Sequence, residues 1–307
     1  MKKKWISSLM LLGSGLAFAN DATFVNAVRF QVENFKTSCG KCEASRPYGI
    51  IATADAIGKA NLSTDSIQNM RYGEAEIDLL YGFKVGPMEG FTLEAGYGSD
   101  YVNWNTNPYF NQKNFNYINL ALLGYTGSVD NWFWQTGFGA HLNNDYNNGW
   151  FDYARFGGFL WGRYTLTPSV GLHVGTITLT GLQRTVTFPL VGFDWRIAPK
   201  WNLDFIFPVQ MELSYYLTQK WILSTYIRPF LTRQRLSPNE SFQGVFEYRN
   251  VGGELNLSYQ YCGLDLSFFG GYTFSALFKV MDSQGNKGTY YNFEDAPYVG
   301  FDILWAF

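Results

Sequence analysis

The chain ends with the sequence YVGFDILWAF, residues 298–307, in which large apolar residues alternate with smaller or polar ones. Successive side chains of a β-strand point to opposite faces, so this stretch predicts a strand with two different faces. One face carries the large apolar residues Val299, Phe301, Ile303, Trp305 and Phe307. The other face carries Tyr298, Gly300, Asp302 and Ala306. Such a strand separates an apolar environment from a more polar one.

The same alternation continues through most of the chain from Ala75 onward. Segments of roughly 8 to 13 residues each place apolar side chains on one face, as transmembrane β-strands do. In the first segment Ala75, Ile77, Leu79, Tyr81 and Phe83 oppose Glu76, Asp78, Gly82 and Lys84. A secreted β-sandwich also alternates, but its solvent face would be rich in Lys, Glu and Thr. Here Gly dominates the polar face and Trp, Phe and Leu fill the other, which favours a membrane barrel.

Short turns and mostly longer loops alternate between the predicted strands, which gives the barrel two distinct ends. We assign short turns such as residues 85–90 to the periplasm. Longer connectors, such as residues 99–114, 231–243 and 276–295, are assigned to the outside. Both termini then lie in the periplasm, and the strand number must be even. The predicted fold is all-β, a transmembrane antiparallel up-and-down β-barrel of about 14 strands, with 12 or 16 as alternatives.

The chain begins with the features of a cleavable export signal. Lysines occupy positions 2–4, residues 5–16 form a short apolar run, and Ala17-Phe18-Ala19 fits a small-residue cleavage site. The apolar run is shorter than the roughly 20 residues that a membrane-spanning helix needs. We therefore predict cleavage after Ala19.

Three regions follow from these patterns: a signal peptide (1–19), an N-terminal segment (20–74) and the barrel (75–307). The even strand number requires one more strand before Ala75. Two stretches compete for it: residues 22–35, which alternate, and residues 48–60, which are less regular. The remainder of the N-terminal segment is then an extra strand, a plug in the lumen or a flexible leader.

The last strand resembles the C-terminal strand by which the assembly machinery of Gram-negative outer membranes recognises β-barrel proteins. The resemblance rests on Tyr298, Gly300, Ile303, Trp305 and Phe307. It implies a porin-like outer-membrane β-barrel whose location is the cell outer membrane. Its implied partners are outer-membrane lipids, the barrel assembly machinery and periplasmic chaperones. The resemblance is to outer-membrane barrels as a class and reaches no substrate-specific family.

Composition excludes several other classes. Aromatic residues make up 19% of the chain and charged residues only 16%, against a usual charged share of about 25%. Removing the signal lysines leaves 20 basic against 25 acidic residues, a net charge of about −5. The chain has no basic stripe of the kind that binds phosphates of nucleic acid, so we expect no nucleic-acid partner.

Charged residues recur on the face that we predict to point inward. The predicted pore-lining residues are Glu76, Asp78, Glu94, Arg155, Arg163, Asp204, Glu212, Arg228, Glu254 and Asp265. Lys84, Asp194, Arg196, Glu247, Arg249 and Asp302 are assigned to the same face. Buried charges must be paired or solvated, so this number of charges favours a water-filled lumen. A closed network of salt bridges is the alternative.

The sequence therefore predicts a porin-like channel for passive diffusion of small polar solutes. Acids outnumber bases on the inward face, which predicts weak cation selectivity. Two alternatives stay open: a structural or adhesive surface barrel without a pore, and a lipid-modifying enzyme of the outer membrane. The sequence leaves the oligomeric state open.

The histidines and cysteines give little indication of catalytic or metal-binding chemistry. Neither His141 nor His173 is followed two residues later by the serine found in lipid-deacylating barrels, so we expect no enzyme activity. We expect no metal and no cofactor. Cys39 and Cys42 form a CxxC pair that an oxidising envelope would join as a disulfide. Cys262 is left over in a predicted periplasmic turn.

Overall fold

The computed structural model describes residues 46–143, 153–182, 184–286 and 288–307. The predicted signal peptide, the candidate strand at residues 22–35 and the cysteines Cys39 and Cys42 lie outside the described residues. Within the described ranges no helix is long and apolar enough to cross a membrane.

The described residues form fifteen β-strand segments in one antiparallel sheet. In chain order these are β1 (Tyr48–Leu62), β2 (Asp65–Gly86), β3 (Glu89–Trp104), β4 (Asn114–Thr126), β5 (Trp132–Asn143), β6 (Ala154–Thr167), β7 (Val170–Gly181), β8 (Arg184–Ala198), β9 (Trp201–Phe207), β10 (Gln210–Tyr216), β11 (Trp221–Arg235), β12 (Gly244–Tyr261), β13 (Leu264–Asp282), β14 (Thr289–Phe293) and β15 (Pro297–Ala306).

The sheet closes on itself as a barrel with 14 strand positions. Segments β14 and β15 share one position, because both pair with β13 on one side and with β1 on the other. Closure runs from Gly49 opposite Ala306 to Ile57 opposite Tyr298. The predicted fold class and strand number are confirmed.

Strand β1 settles where the first strand lies. It covers the second of the two candidate stretches and pairs with β2 and β15. Strand pairing therefore begins at Tyr48, ahead of the predicted barrel start at Ala75. Several irregularities in β1, including register shifts between Ile57 and Ala60, explain why its alternation is hard to read in the sequence.

The outer surface of the barrel is apolar, as the alternation predicts. On β2, Ile77 and Leu79 are 49% and 59% exposed, whereas Asp78 between them is fully buried. Aromatic side chains gather at the end with the short turns, where an interfacial belt is expected. Around the closure, ring contacts link Tyr48, Tyr81, Phe83, Phe91, Trp305 and Phe307.

Several strands extend further at the outer end than the sequence predicts. Strand β3 continues to Trp104, β11 to Arg235 and β13 to Asp282, all inside stretches that we predict as loops. The extra lengths form because their inward faces pack against one another across the barrel. The outer loops in the structure are correspondingly shorter than those predicted from the sequence.

One hairpin is much shorter than its neighbours. Strands β9 and β10 have only 7 residues each. The upper part of β8, residues 184–190, therefore pairs with β7 alone. The upper part of β11, residues 227–235, pairs with β12 alone. A gap in strand pairing thus lies above the turn that joins β9 and β10, within the described residues.

Candidate functional site

The outer half of the barrel interior is an apolar core. Its buried members come from strands on opposite walls: Ile57, Ala60, Leu62, Met70, Tyr72, Val102, Trp104, Phe110, Phe115, Phe230, Leu236, Phe246, Tyr248, Phe269, Ala276, Phe278, Val280, Phe293, Ala296 and Tyr298. Ring centroids lie 4.7 Å apart for Phe115 and Phe246, and 4.6 Å apart for Tyr72 and Tyr248. Strands β4 and β12, which carry Phe115 and Phe246, are six positions apart around the ring. Aromatic contacts therefore cross the lumen in its outer half.

A polar latch, defined as Asp100, His141, Asn143, Thr232 and Gln234, also crosses the lumen. Thr232 and Gln234 on β11 both donate hydrogen bonds to the carboxylate of Asp100 on β3, the second at 2.8 Å. The side chain of Gln234 also accepts a bond from Asn143 at 3.1 Å and lies 3.3 Å from His141. All five side chains are buried. Strands β3 and β11 are nearly opposite each other, so the latch holds the two walls together.

The loops above this core meet as well. The carboxylate of Glu240 accepts backbone N–H bonds from Asn111 and Gln112, at 2.9 and 2.8 Å. The hydroxyl groups of Tyr109 and Tyr291 lie 2.6 Å apart. The loop after β3 is thereby fixed to the loop after β11 and to strand β14 at the outer end of the barrel.

Carboxylates line one wall of the interior below and beside the core. Asp55, Glu74 and Asp100 are direct register partners on β1, β2 and β3. Further toward the inner end, Glu76, Asp78 and Glu94 are buried, and one ligand oxygen of each lies within 4.8 Å of the others. Oxygen ligands of this kind suit a hard cation such as Ca²⁺ or Mg²⁺. Among the residues that the structure describes, these three could hold a metal ion.

Inward glycines make room for this wall. A side chain on Gly96 would meet the Asp78 carboxylate at 1.8 Å, and one on Gly98 would meet the Tyr117 ring at 2.3 Å. Large and charged side chains therefore lie flat against the sheet over glycines, which have no side chain. This arrangement explains why glycine dominates the inward face in the sequence.

The predicted residue Arg228 joins two predicted acids, Glu254 on β12 and Asp302 on β15. Its Nε donates to Glu254 at 2.8 Å, and its Nη2 lies 3.4 Å from Asp302. The guanidinium also lies 3.9 Å from the centre of the Phe269 ring, and Tyr298 donates a hydrogen bond to Glu254 at 3.0 Å. The group is a compact ion network on the inward face that links β11, β12 and β15 and spans β13 between them.

A second ion pair lies on the opposite side, near the inner end. Arg163 bonds Asp194 through two nitrogens, at 2.7 and 3.1 Å. His173 lies 3.2 Å from the same carboxylate and accepts a hydrogen bond from the indole of Trp161 at 2.9 Å. The inward arginines therefore do not share one wall, since Arg163 and Arg228 each bind acids of their own neighbourhood.

The remaining predicted residues are spread around the ring. Glu212 accepts bonds from Gln210 and Ser214, and it lies opposite Asp204 in the register. Asp265 accepts a bond from Gln260 at 2.9 Å. Arg155 lies at the outer end of β6. Of the predicted assembly residues, Tyr298 and Gly300 point inward, while Trp305 and Phe307 are exposed on the outer face.

Sequence reasoning misplaced or missed five charged residues. Glu247 and Arg249 lie on the face of β12 opposite Glu254, because their positions differ from it by an odd number and the register with β11 is unbroken. Asp55, Glu74 and Asp100 were not predicted as inward. Asp55, Glu74 and Asp100 lie two residues from Thr53, Glu76 and Gly98, respectively, and so share their face of the strand. This spacing would have identified them as inward if β1 and the outer end of β3 had been predicted as strands.

Residues 91–306 match the family model described as Domain of unknown function (DUF6268). An uncharacterized protein of Chlamydia trachomatis serovar D (strain ATCC VR-885 / DSM 19411 / UW-3/Cx) is 25% identical over 265 residues. The match covers 80% of this chain and 82% of the relative.

Two solved structures are similar at a low level. The KdgM porin is 8% identical with a TM-score of 0.36, covering 84% of this chain and 99% of its own. The TodX monoaromatic hydrocarbon channel deltaS2 mutant is 10% identical with a TM-score of 0.39, covering 86% and 91%. Neither similarity assigns a solute to this chain.

Proposed function

The chain belongs to the family described as Domain of unknown function (DUF6268), and we propose that it is an outer-membrane channel for small polar solutes, closed at its outer mouth in this conformation. The proposal includes a weak preference for cations. The observation that carries it is the wall of inward carboxylates below the apolar core. A barrel with a purely structural role could fill that region with apolar side chains at lower cost, because buried charges must be paired or solvated.

Cation preference follows from the balance of the inward charges. The described inward acids include Asp55, Glu74, Glu76, Asp78, Glu94, Asp100, Asp194, Asp204, Glu212, Glu254, Asp265 and Asp302, whereas the inward arginines of the strands are fewer. A narrow lumen with low-dielectric walls focuses this negative field on a passing ion. Local ion pairs at Arg163 and Arg228 offset part of the field, so the preference is weak.

Passage requires the polar latch to separate, because the latch and the aromatic contacts around it cross the lumen. We therefore expect wild-type protein in planar bilayers to conduct rarely. The double variant Thr232→Val with Gln234→Leu removes the two donors that reach Asp100 from β11, while Tyr72 on β2 still donates to it. It should raise the open probability several-fold in single-channel recordings at low salt.

The matched control is Ser258→Ala. The Ser258 hydroxyl bonds Ser267 on the adjacent strand at 2.8 Å, so it does not bridge the lumen. This variant should conduct like the wild type. Absence of conductance above leak from correctly folded wild type and from the latch variant together would contradict the channel proposal.

A structural or adhesive surface barrel is the second candidate. The aromatic core and the fastened loops favour it, because they stabilise the outer end without providing a path. The same recordings separate the two functions. A structural barrel stays silent when the latch is removed, whereas a gated channel opens.

The outer membrane is the location that we propose. The apolar outer face and the aromatic residues at the inner end fit a barrel in a bilayer. Fractionation of cells that produce the full chain tests this location. Recovery with inner-membrane or soluble markers would contradict it.

A further inference from the structure

Three arginines gather around one carboxylate beside the gap above the β9–β10 turn. Arg184 and Arg233 bind Glu247 at 3.0 and 2.7 Å, and Arg249 also contacts it. We call Arg184, Arg233, Arg249 and Glu247 the arginine cluster. The side chain of Glu247 is 2% exposed, and that of Arg184 is 32% exposed. The cluster is therefore closed on its acidic side and open on its basic side.

The strand register brings a further guanidinium toward the cluster. Arg155 on β6 lies opposite Gly181 on β7, and Gly181 lies opposite Arg184 on β8. The residue between the two arginines has no side chain, so nothing on that strand separates them. On the other side, Arg233 donates to the backbone carbonyl of Leu182 at 2.7 Å. The tip of the β7–β8 hairpin is thus held against β11.

Apolar side chains lie directly below. Leu190 and Ile177 are buried in a cluster with Ala121, Leu123 and Phe159, against which Phe188 and Val209 pack. Phe188 and Leu190 belong to the part of β8 that has no strand partner on its β9 side, and Val209 lies in the β9–β10 turn. The gap is therefore basic at its upper edge and apolar below.

The outer face of β7 and β8 changes character at the same height. Val174 and Val191 are exposed apolar residues at the level of the β9–β10 turn. Above them, hydroxyl pairs join Thr178 to Thr187 at 2.9 Å and Thr180 to Thr185 at 2.7 Å. The change from valine to threonine indicates the boundary between lipid chains and head groups. The arginine cluster then lies at or above the head groups.

We propose that the arginine cluster binds the phosphate of an outer-leaflet lipid, with an acyl chain of that lipid in the gap against the partly exposed side chains of Phe188 and Val209. Guanidinium groups match phosphate oxygens with paired hydrogen bonds, and they recognise phosphate better than a point charge does. A free phosphate ion would use only the basic edge. The apolar residues immediately below select a lipid as the occupant.

The test uses full-length protein refolded in a neutral detergent and titrated with lipid A, an acylated and phosphorylated disaccharide, with adducts counted by native mass spectrometry. Wild-type protein should form a one-to-one adduct. Arg184→Gln and Arg249→Gln should each lower the affinity at least tenfold. Arg196→Gln is the matched control, because Arg196 is an exposed arginine at the opposite end of the same strand. It should bind lipid A as the wild type does.

Two further measurements distinguish the lipid from other anions. Phosphatidylcholine should not displace lipid A, and inorganic phosphate should displace it only at much higher concentration. Phe188→Ser should weaken lipid A binding but leave the competition by inorganic phosphate unchanged. Equal binding of lipid A by Arg184→Gln, Arg249→Gln and Arg196→Gln would overturn the proposal, as would displacement by inorganic phosphate at equal concentration.

Folding is checked independently by heat-modifiable migration in electrophoresis. Arg184→Lys keeps the charge without the planar fork, so it should retain part of the affinity if phosphate is bound. If a glutamine variant fails to fold, the lysine variant replaces it in the comparison. Full wild-type affinity in a folded Arg184→Lys together with unchanged binding in Phe188→Ser would also overturn the proposal.

Discussion

The outer and inner halves of the barrel interior are built from the same strands but follow different rules. In the outer half, aromatic and aliphatic side chains from opposite walls touch, as Phe115 and Phe246 do. In the inner half, acids lie along the wall and bind partners on the same wall, as Asp194 binds Arg163. One alternating pattern therefore supports both a packed core and a charged lumen. A region becomes a packed core where side chains from the facing walls touch, and a charged lumen where they do not.

Breaking the outer core should have the largest effect on stability. Phe246 is fully buried and contacts Phe110, Phe115 and Phe278. Phe246→Ala should lower the free energy of unfolding by about 3–5 kcal/mol, because a buried ring is lost and a cavity remains. Urea unfolding in lipid vesicles, followed by tryptophan fluorescence, measures the change.

The control for that variant is Phe268→Ala. Phe268 is 64% exposed on the lipid side, where acyl chains can fill the vacated space. Phe268→Ala should lower the free energy of unfolding much less than Phe246→Ala does. Equal losses for the two variants would mean that the outer half is not a distinct core.

Breaking the Arg228 ion network, which borders the outer core, should have the next largest effect. Arg228→Leu leaves Glu254, which is 4% exposed, without its main partner. Loss of one member of a buried pair costs about 3 kcal/mol at the lower end of the usual range. The same unfolding measurement applies.

Arg163→Leu is the matched control for Arg228→Leu. Its side chain is 35% exposed and Asp194 is 26% exposed, so water screens the pair. The loss should be within about 1 kcal/mol. A larger loss at Arg163 than at Arg228 would show that burial does not govern the inner charges.

Removing Phe307 tests the seam that both halves share. Phe307 exchanges backbone hydrogen bonds with Tyr48 and contacts the rings of Tyr48 and Trp305. Deletion should cost roughly 1 kcal/mol through the lost ring contacts. If the residue is also the assembly signal, the amount of heat-modifiable barrel in outer-membrane fractions should fall while export continues. A normal folded yield would contradict the assembly role, and Phe307→Tyr serves as the conservative control.

The smallest effect concerns ion selectivity. In the background of Thr232→Val with Gln234→Leu, changing Glu94 to Gln and Asp204 to Asn should shift the reversal potential toward anions. The shift should disappear near 1 M salt, where the screening length falls to about 3 Å. Glu240→Gln is the control, because Glu240 binds backbone N–H groups in an outer loop. An equal shift in the control would contradict a role for the inner wall.

The sequence by itself determined the class of fold and the direction of most side chains. The alternation of Ile77, Asp78 and Leu79 is a local property, since a strand in an apolar solvent must turn one face outward wherever it lies in the barrel. The final strand follows the same local rule, and the alternation in its sequence predicts which residues lie on each face. The strand number followed from counting the predicted strands, because a barrel with both termini at the same end has an even number of strands.

Only the tertiary structure decided what fills the interior. Phe115 and Phe246 are far apart in the chain, and nothing near either residue tells which wall it faces across the lumen. The same holds for the latch between Asp100 and Gln234 and for the gathering of Arg184, Arg233 and Arg249 around Glu247. Alternation specifies inward or outward, with a period of two residues. Contact across the barrel depends on register and on the short β9–β10 hairpin, and these are properties of the closed sheet.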